Sequence, residues 1–171
     1  MSRVDVVLLI GSSSDWTHVR PAAEVLRELG LSFRVHVSSA HRTPERTVEL
    51  VRTAEADGCR TFICAAGMAA HLAGVVAAHT LVPVLGVPLP GGVLDGVDAL
   101  LSTVQMPGGV PVATFAVGSA GARNAAFFAA EIVAGGRSEV AALLRRAREA
   151  GAEKILAADL ELRSDWDVDG V

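Results

Sequence analysis

The 171-residue chain is 51% hydrophobic with a mean hydropathy of +0.43, yet its apolar runs are short. None reaches the roughly 18 unbroken apolar residues a membrane helix needs. A total of 15 Lys and Arg against 19 Asp and Glu gives a net charge of −4, which excludes the basic footprint of a nucleic-acid-binding protein. In chain order, "VDVVLLIG" (4–11) is a continuous β-branched run ending in glycine and predicts a buried parallel strand. Met1 leads almost directly into it without the pattern of a secretory leader, so a cytoplasmic location is expected. Val19, Ala22, Ala23, Leu26 and Leu29 recur at helical spacing over 16–30, with Gly30 as the stop and Pro21 placed in the first turn or at a kink. "SFRVHVS" (32–38) alternates as a strand. A helix then follows, capped by Thr43, opened by Pro44 and closed by Gly58.

The rhythm continues. Strands are expected over 61–66, 82–89 and 110–118, and helices over 69–80, 94–106 and 121–135. Cys64 lies inside the strand run "TFICAA". With Cys59 it predicts buried thiols in a reducing compartment, not a disulfide or a zinc site. The βαβα order predicts an α/β fold: a three-layer α/β/α sandwich around a doubly wound parallel sheet of the flavodoxin-like kind. One domain is expected over 1–171, with its α/β core in 1–135. Over 138–164, Val140, Leu143, Leu144, Ala147, Ile155, Leu156 and Leu160 form an amphipathic stripe broken near Gly151. This C-terminal helical arm is expected to lie on a neighbouring subunit. Arg145, Arg146 and Arg148 alternate with Glu149 and Glu153, as a solvated helix face does.

In open α/β sheets, ligands bind beyond the carboxyl ends of the strands. Three polar loops fall there. "GSSSD" (11–15) offers hydroxyls and free N–H groups at a helix start, which suit a phosphate but equally make a plain cap. "SSAHRTP" brings Arg42, a planar partner for phosphate, beside His41, a general acid or base near neutral pH. "AAGMAAHLAG" (65–74) lets backbone approach a ligand at Gly67, with His71 in the first helical turn. A packed histidine and a substrate contact fit His71 equally. "GSAGARNAA" (118–126) reads as close helix packing or subunit contact, and His18, His36 and His79 read as structural.

"GSSSDW", "SAHRTP", "PVLGVP" and "LDGVDALLSTVQMPGGVPVATFAVGSAGARNAA", in that order, resemble the class I N5-carboxyaminoimidazole ribonucleotide mutase family, the catalytic-subunit type of phosphoribosylaminoimidazole carboxylase. The likeness spans about residues 4–135. Arginine after the histidine, where the animal-type carboxylase branch has lysine, favours class I. The resemblance implies a homo-octamer with sites at subunit junctions, a small ribonucleotide substrate with carbon dioxide, and neither metal nor organic cofactor. It also implies phosphate on Ser12 and Arg42, ribose hydroxyls on Asp15, and the base and carboxylate end against Ser39, Ala66 and Gly67 near His71. His41 would act first as acid, then as base.

Four positions depart from the family pattern: Ala65 and Met68 replace glycines, Ala73 a proline and Ala99 a serine. They open an alternative, a relative in specialised nucleoside (deazapurine-type) biosynthesis that works on another azaheterocycle by (de)carboxylation or phosphoribosyl transfer. A non-catalytic nucleotide-binding oligomer is the third class. A titrating group at His41 counts against it, since binding alone does not require one.

Overall fold

Every side chain of Val6–Ile10 is buried, and alternate residues feed two different cores. That is why the run carries no polar alternation: as β1 it lies inside a sheet covered on both faces. The computed structural model describes residues 4–166; the first three and last five residues of the expected domain lie outside the described residues. The sheet is parallel in the order β2-β1-β3-β4-β5, with β2 at Phe33–Val37, β3 at Thr61–Ala66, β4 at Val84–Pro88 and β5 at Ala113–Thr114. Val6, Leu8 and Ile10 pack with helices α1 (Trp16–Glu28) and α5 (Ser119–Ala134) on one face. Val7 and Leu9 face α2 (Pro44–Ala56) and α3 (Leu72–Ala77) on the other. The short helix α4 (Val97–Val104) joins the second face, where Thr103 and Ala73 crowd Gly86. The expected three-layer sandwich is the fold. No helix among the described residues is long and apolar enough to cross a membrane.

Cys59 and Cys64 are buried free thiols. Burial pushes Cys59 up to about 11 and Cys64 higher still, so neither ionises near neutral pH.

Several elements differ from the sequence expectation. The strand expected over 110–118 is reduced to Ala113–Thr114, an edge paired only with β4 and preceded by Pro111, which lacks a donor. Pro21 sits in the second turn of α1, not its first, because a 3-10 turn at Ser13–Asp15 already starts the coil. Thr43 occupies the cap position of α2 without capping it. The expected helix over 69–80 shortens to Leu72–Ala77, leaving His71 at the cap position outside its first turn.

The last helix, α6 (Ser138–Asp165), is one continuous rod, with no break at Gly151. Gly151 has open space around it, so it brings only its intrinsic helix cost of about 1 kcal/mol, which the good helix formers flanking it outweigh. The rod starts on its own domain: Val140 and Leu144 are buried in the α1/α5 core. Over 151–164 it is exposed, including Ile155, Leu156 and Leu160.

Its base is pinned by a polar staple. Asp5, 4% exposed, accepts from the Ser32 N–H at 2.9 Å, the Ser32 hydroxyl at 2.8 Å and Arg137 Nη1 at 2.9 Å. Burial would raise the carboxyl's pKa, but the Ser32 bonds and the Arg137 guanidinium outweigh it and hold it below the ordinary carboxylate range. A carboxyl so lowered stabilises the fold above its unfolded value near pH 4 and loses that contribution as pH falls through the folded value. Arg137→Leu is therefore expected to cost about 1.5 kcal/mol at pH 7, toward the low end for a charged hydrogen bond because Arg137 is partly exposed and screened. The gap between variant and parent should close as pH drops below about 4. Urea unfolding at pH 7 and in acid measures both; a gap that does not change with pH would show that the pair is not its source.

Candidate active site

The register sets the carboxyl ends of four strands level. Ile10 stands opposite Val37 and Ala65, and Ala66 opposite Pro88. The loops after β2, β1, β3 and β4 thus meet at one edge, around the β1/β3 junction where the winding reverses, the usual ligand position in such sheets. They line a cavity of about 480 Å³. Ser12, Asp15, Ser39, His41, Arg42, Ala66, Gly67 and His71, all singled out from the sequence, lie on its wall. His18, His36 and His79 do not.

The loop after β2 is a tight, internally bonded turn. The Thr43 N–H donates to the Ser39 carbonyl at 2.8 Å, and the Thr43 hydroxyl donates to the same oxygen at 3.1 Å while accepting from the Ser39 N–H. The Arg42 N–H reaches Ser39 Oγ at 3.3 Å. Below the turn, buried Ser38 shares a 2.8 Å bond with Thr47, whose hydroxyl donates to the Thr43 carbonyl. Ser39, Thr43 and Thr47, spaced by four, thereby present His41 and Arg42 on a rigid tip, both exposed. The supporting roles of Thr43 and Thr47 were missed from the sequence, where Thr43 reads as a helix cap; their i, i+4 spacing was the available signal.

The loop after β1 closes on itself as a capping box. The Ser12 N–H donates to Asp15 Oδ2 at 2.9 Å, and Ser12 Oγ accepts from the Ser14 N–H at 3.3 Å. Burial raises the Asp15 carboxyl above its ordinary value, against the Ser12 hydrogen bond and the charge of His18, which lower it. The plain-cap reading and the ligand-lining position coexist here.

The loop after β3 brings His71 to the second loop: its Nδ1 is 3.2 Å from His41 Nε2, with ring centroids 5.3 Å apart. One proton can lie on that line, so each ring fixes the tautomer of the other. Gly67 packs against the Leu89 and Pro90 carbonyls, and Ser102 Oγ donates to the Ala69 carbonyl at 2.7 Å, tying this loop to α4. A fourth wall, Pro90, Gly91 and Gly92, escaped the sequence reading although "PLPGGV" follows a strand as the other loops do. A Cβ on Gly92 would stand 2.6 Å from Asp98 Oδ2, and its φ of +76° also favours glycine. No cluster of three His, Cys, Asp or Glu able to hold a metal occurs among the described residues.

The profile of the family described as AIR carboxylase matches residues 5–154, which carry all four loops. The chain belongs to the AIR carboxylase family. Its relatives within that family include the N5-carboxyaminoimidazole ribonucleotide mutase of Brucella melitensis, 48% identical over 152 residues, 89% of this chain and 94% of the relative. The enzyme of the same name from Escherichia coli K12 is 47% identical over 151 residues, 88% of this chain and 89% of the relative. Among solved structures, the crystal structure of Treponema denticola PurE superposes with a TM-score of 0.85 at 31% identity, covering 94% of this chain and 99% of that one. AIR carboxylase membership makes the chain an enzyme of the isomerase or lyase type, working by carboxyl transfer in purine biosynthesis.

Proposed function

We propose that the chain interconverts N5-carboxyaminoimidazole ribonucleotide and 4-carboxy-5-aminoimidazole ribonucleotide, using His41 as the single proton carrier. The observation that carries this is the His41–His71 pair in the same cavity that the Ser12–Asp15 loop lines. Ser12 and Arg42 hold the phosphate, Asp15 the ribose hydroxyls, and Ser39, Ala66 and Gly67 the base end. His41 as imidazolium gives its proton to the carbamate nitrogen, the nitrogen–carbon bond breaks, and carbon dioxide is released into the cavity. The C4 carbon of the ring then attacks the trapped gas, forming the carbon–carbon bond. Neutral His41 removes the C4 proton, which restores the aromatic ring and the imidazolium. Small residues around the gas keep it at reacting distance, so the second encounter is intramolecular.

Arg42 contributes binding from a point away from the reacting carbon. Arg42→Ala is expected to raise KM about 10–100-fold, the worth of a charge-assisted hydrogen bond to phosphate, with a smaller fall in kcat. Steady-state kinetics with the carbamate substrate checks this; an unchanged KM would remove Arg42 from the phosphate.

The protein works as a homo-oligomer, an octamer on the family resemblance, in the cytoplasm. Val97, Leu101 and Val104 are exposed at helical spacing on α4, Val93 and Leu94 are exposed in the turn before it, and the outer half of α6 exposes Ile155, Leu156, Leu160 and Leu162. Apolar stripes of this extent are interface material, and we assign the outer half of α6 to a neighbouring subunit. Light scattering on the purified chain tests the assembly, and a monomeric mass contradicts it. The second reading, a relative acting on another azaheterocycle by (de)carboxylation or phosphoribosyl transfer, draws on one observation, the presence of Met68 on the cavity wall. A substrate panel including deazapurine bases with phosphoribosyl pyrophosphate separates the two.

A further inference from the structure

The fold sorts the four departures from the family pattern. Ala65, Ala73 and Ala99 are buried at 3% exposure or less, and none lines the cavity. Met68 lines it, is 65% exposed and belongs to neither core cluster. Its backbone lies in the left-handed region at φ +56°, one of two non-glycine residues with positive φ among the described residues. A side chain is strained there and glycine is not. The chain thus keeps an exposed thioether on strained backbone, outside both core clusters. Strain kept outside the core, on the wall of a ligand cavity, points to a use in binding.

The side chain has a defined direction. Met68 Cγ lies 3.5 Å from where a Cβ on Gly92 would stand, so it reaches from the loop after β3 to the loop after β4. The bond from Ser102 to the Ala69 carbonyl holds the neighbouring residue in place. Apart from buried Leu72 and the His71 ring, the rest of this side of the cavity is Ala66, Gly67, Ala69, Ala70, Pro90 and the two glycines. Met68 is therefore the one long, exposed apolar group there.

We propose that Met68 is the specificity-determining residue of this site, its thioether folding over the heterocycle of the bound ribonucleotide. This rests on the reading given under Proposed function. Three rotatable bonds let the chain settle on a flat ring, sulfur makes favourable contact with aromatic edges, and the exposed apolar surface is covered in the complex. A ring carrying extra bulk on the covered side is turned away.

Met68→Ala removes the thioether and keeps the backbone strain; Met68→Gly removes both. Calorimetric titration with 5-aminoimidazole ribonucleotide measures binding without turnover, and kinetics with the carbamate substrate measures turnover. Both variants should bind the ribonucleotide about 2–10-fold more weakly than the parent, the worth of one sulfur–ring contact. Both should also lose preference for it over an analogue with an added ring methyl. Met68→Gly should melt above Met68→Ala. A parent that binds and turns over, with both variants equal to it in affinity and preference, overturns this inference alone. A parent that neither binds nor converts overturns the mutase reading and this inference with it.

Discussion

Replacing His41 with asparagine is expected to lower kcat for carboxyl migration by about 10²–10⁴-fold, the usual worth of a positioned general acid–base. The loss should fall on both directions of the reaction, because the same nitrogen protonates the carbamate and later strips the ring carbon. Binding should change little, since phosphate and ribose are assigned to other residues. Stability should change little: His41 is exposed, the turn that carries it is held by hydrogen bonds from Ser39, Thr43 and Thr47, and the one side-chain bond lost, to His71, is exposed to solvent. Activity assays beside thermal melts separate these effects. A variant that melts early would point to a structural histidine, and one that turns over at the parent rate would remove His41 from the chemistry.

Gly121→Ala is expected to be the most damaging glycine-to-alanine change among the described residues. A Cβ on Gly121 would stand 1.6 Å from the Ala116 carbonyl oxygen and 2.6 Å from its carbon. Both are backbone atoms, so no rotamer change relieves the overlap and the start of α5 must move. That helix packs through Ala122, Ala125, Ala126, Ala129 and Ala130, all 0% exposed, and a shift at its start disturbs the whole close-packed face. The cost should be about 3 kcal/mol or more, a fall in Tm of roughly 6–12 °C for a chain of this size. Gly136→Ala, with nothing within 4 Å, is the control and should melt with the parent. Equal melting of the two variants would show that α5 can shift without penalty.

The core strands were legible because burial on both faces leaves unbroken apolar runs, as in Val6–Ile10 and Thr61–Ala66. The alanine face of α5 was legible for a related reason: small residues at helical spacing permit only close packing. Where the expectation failed, a local signal was outweighed by its surroundings. Gly151 reads as a helix stop, but nothing outside its own helix lies within 4 Å of where its side chain would be, so no tertiary contact competes with the helix there. The run 69–80 reads as helix from its alanines, but the Ala70 N–H bonds the Gly67 carbonyl and Met68 adopts positive φ, which delays α3 to Leu72. Of the site, the residues with chemistry of their own were visible. The backbone wall at Pro90, Gly91 and Gly92 was not, because glycine contributes position and no functional group. The direct bond between His41 and His71 was not legible, although both loops were placed at one end of the sheet: 30 residues separate them, and the level ends of β2 and β3 on either side of β1 bring them together.

The most direct measurement follows a labelled carboxyl group. The purified protein is incubated with carbamate substrate carrying carbon-13 in its carboxyl, in buffer containing unlabelled bicarbonate, and the product carboxylate is read by NMR. Release and recapture inside one cavity predict rapid formation of the carbon-carboxylated product with the label retained. Product no faster than the spontaneous background, or product whose label has fully exchanged with bicarbonate, contradicts it.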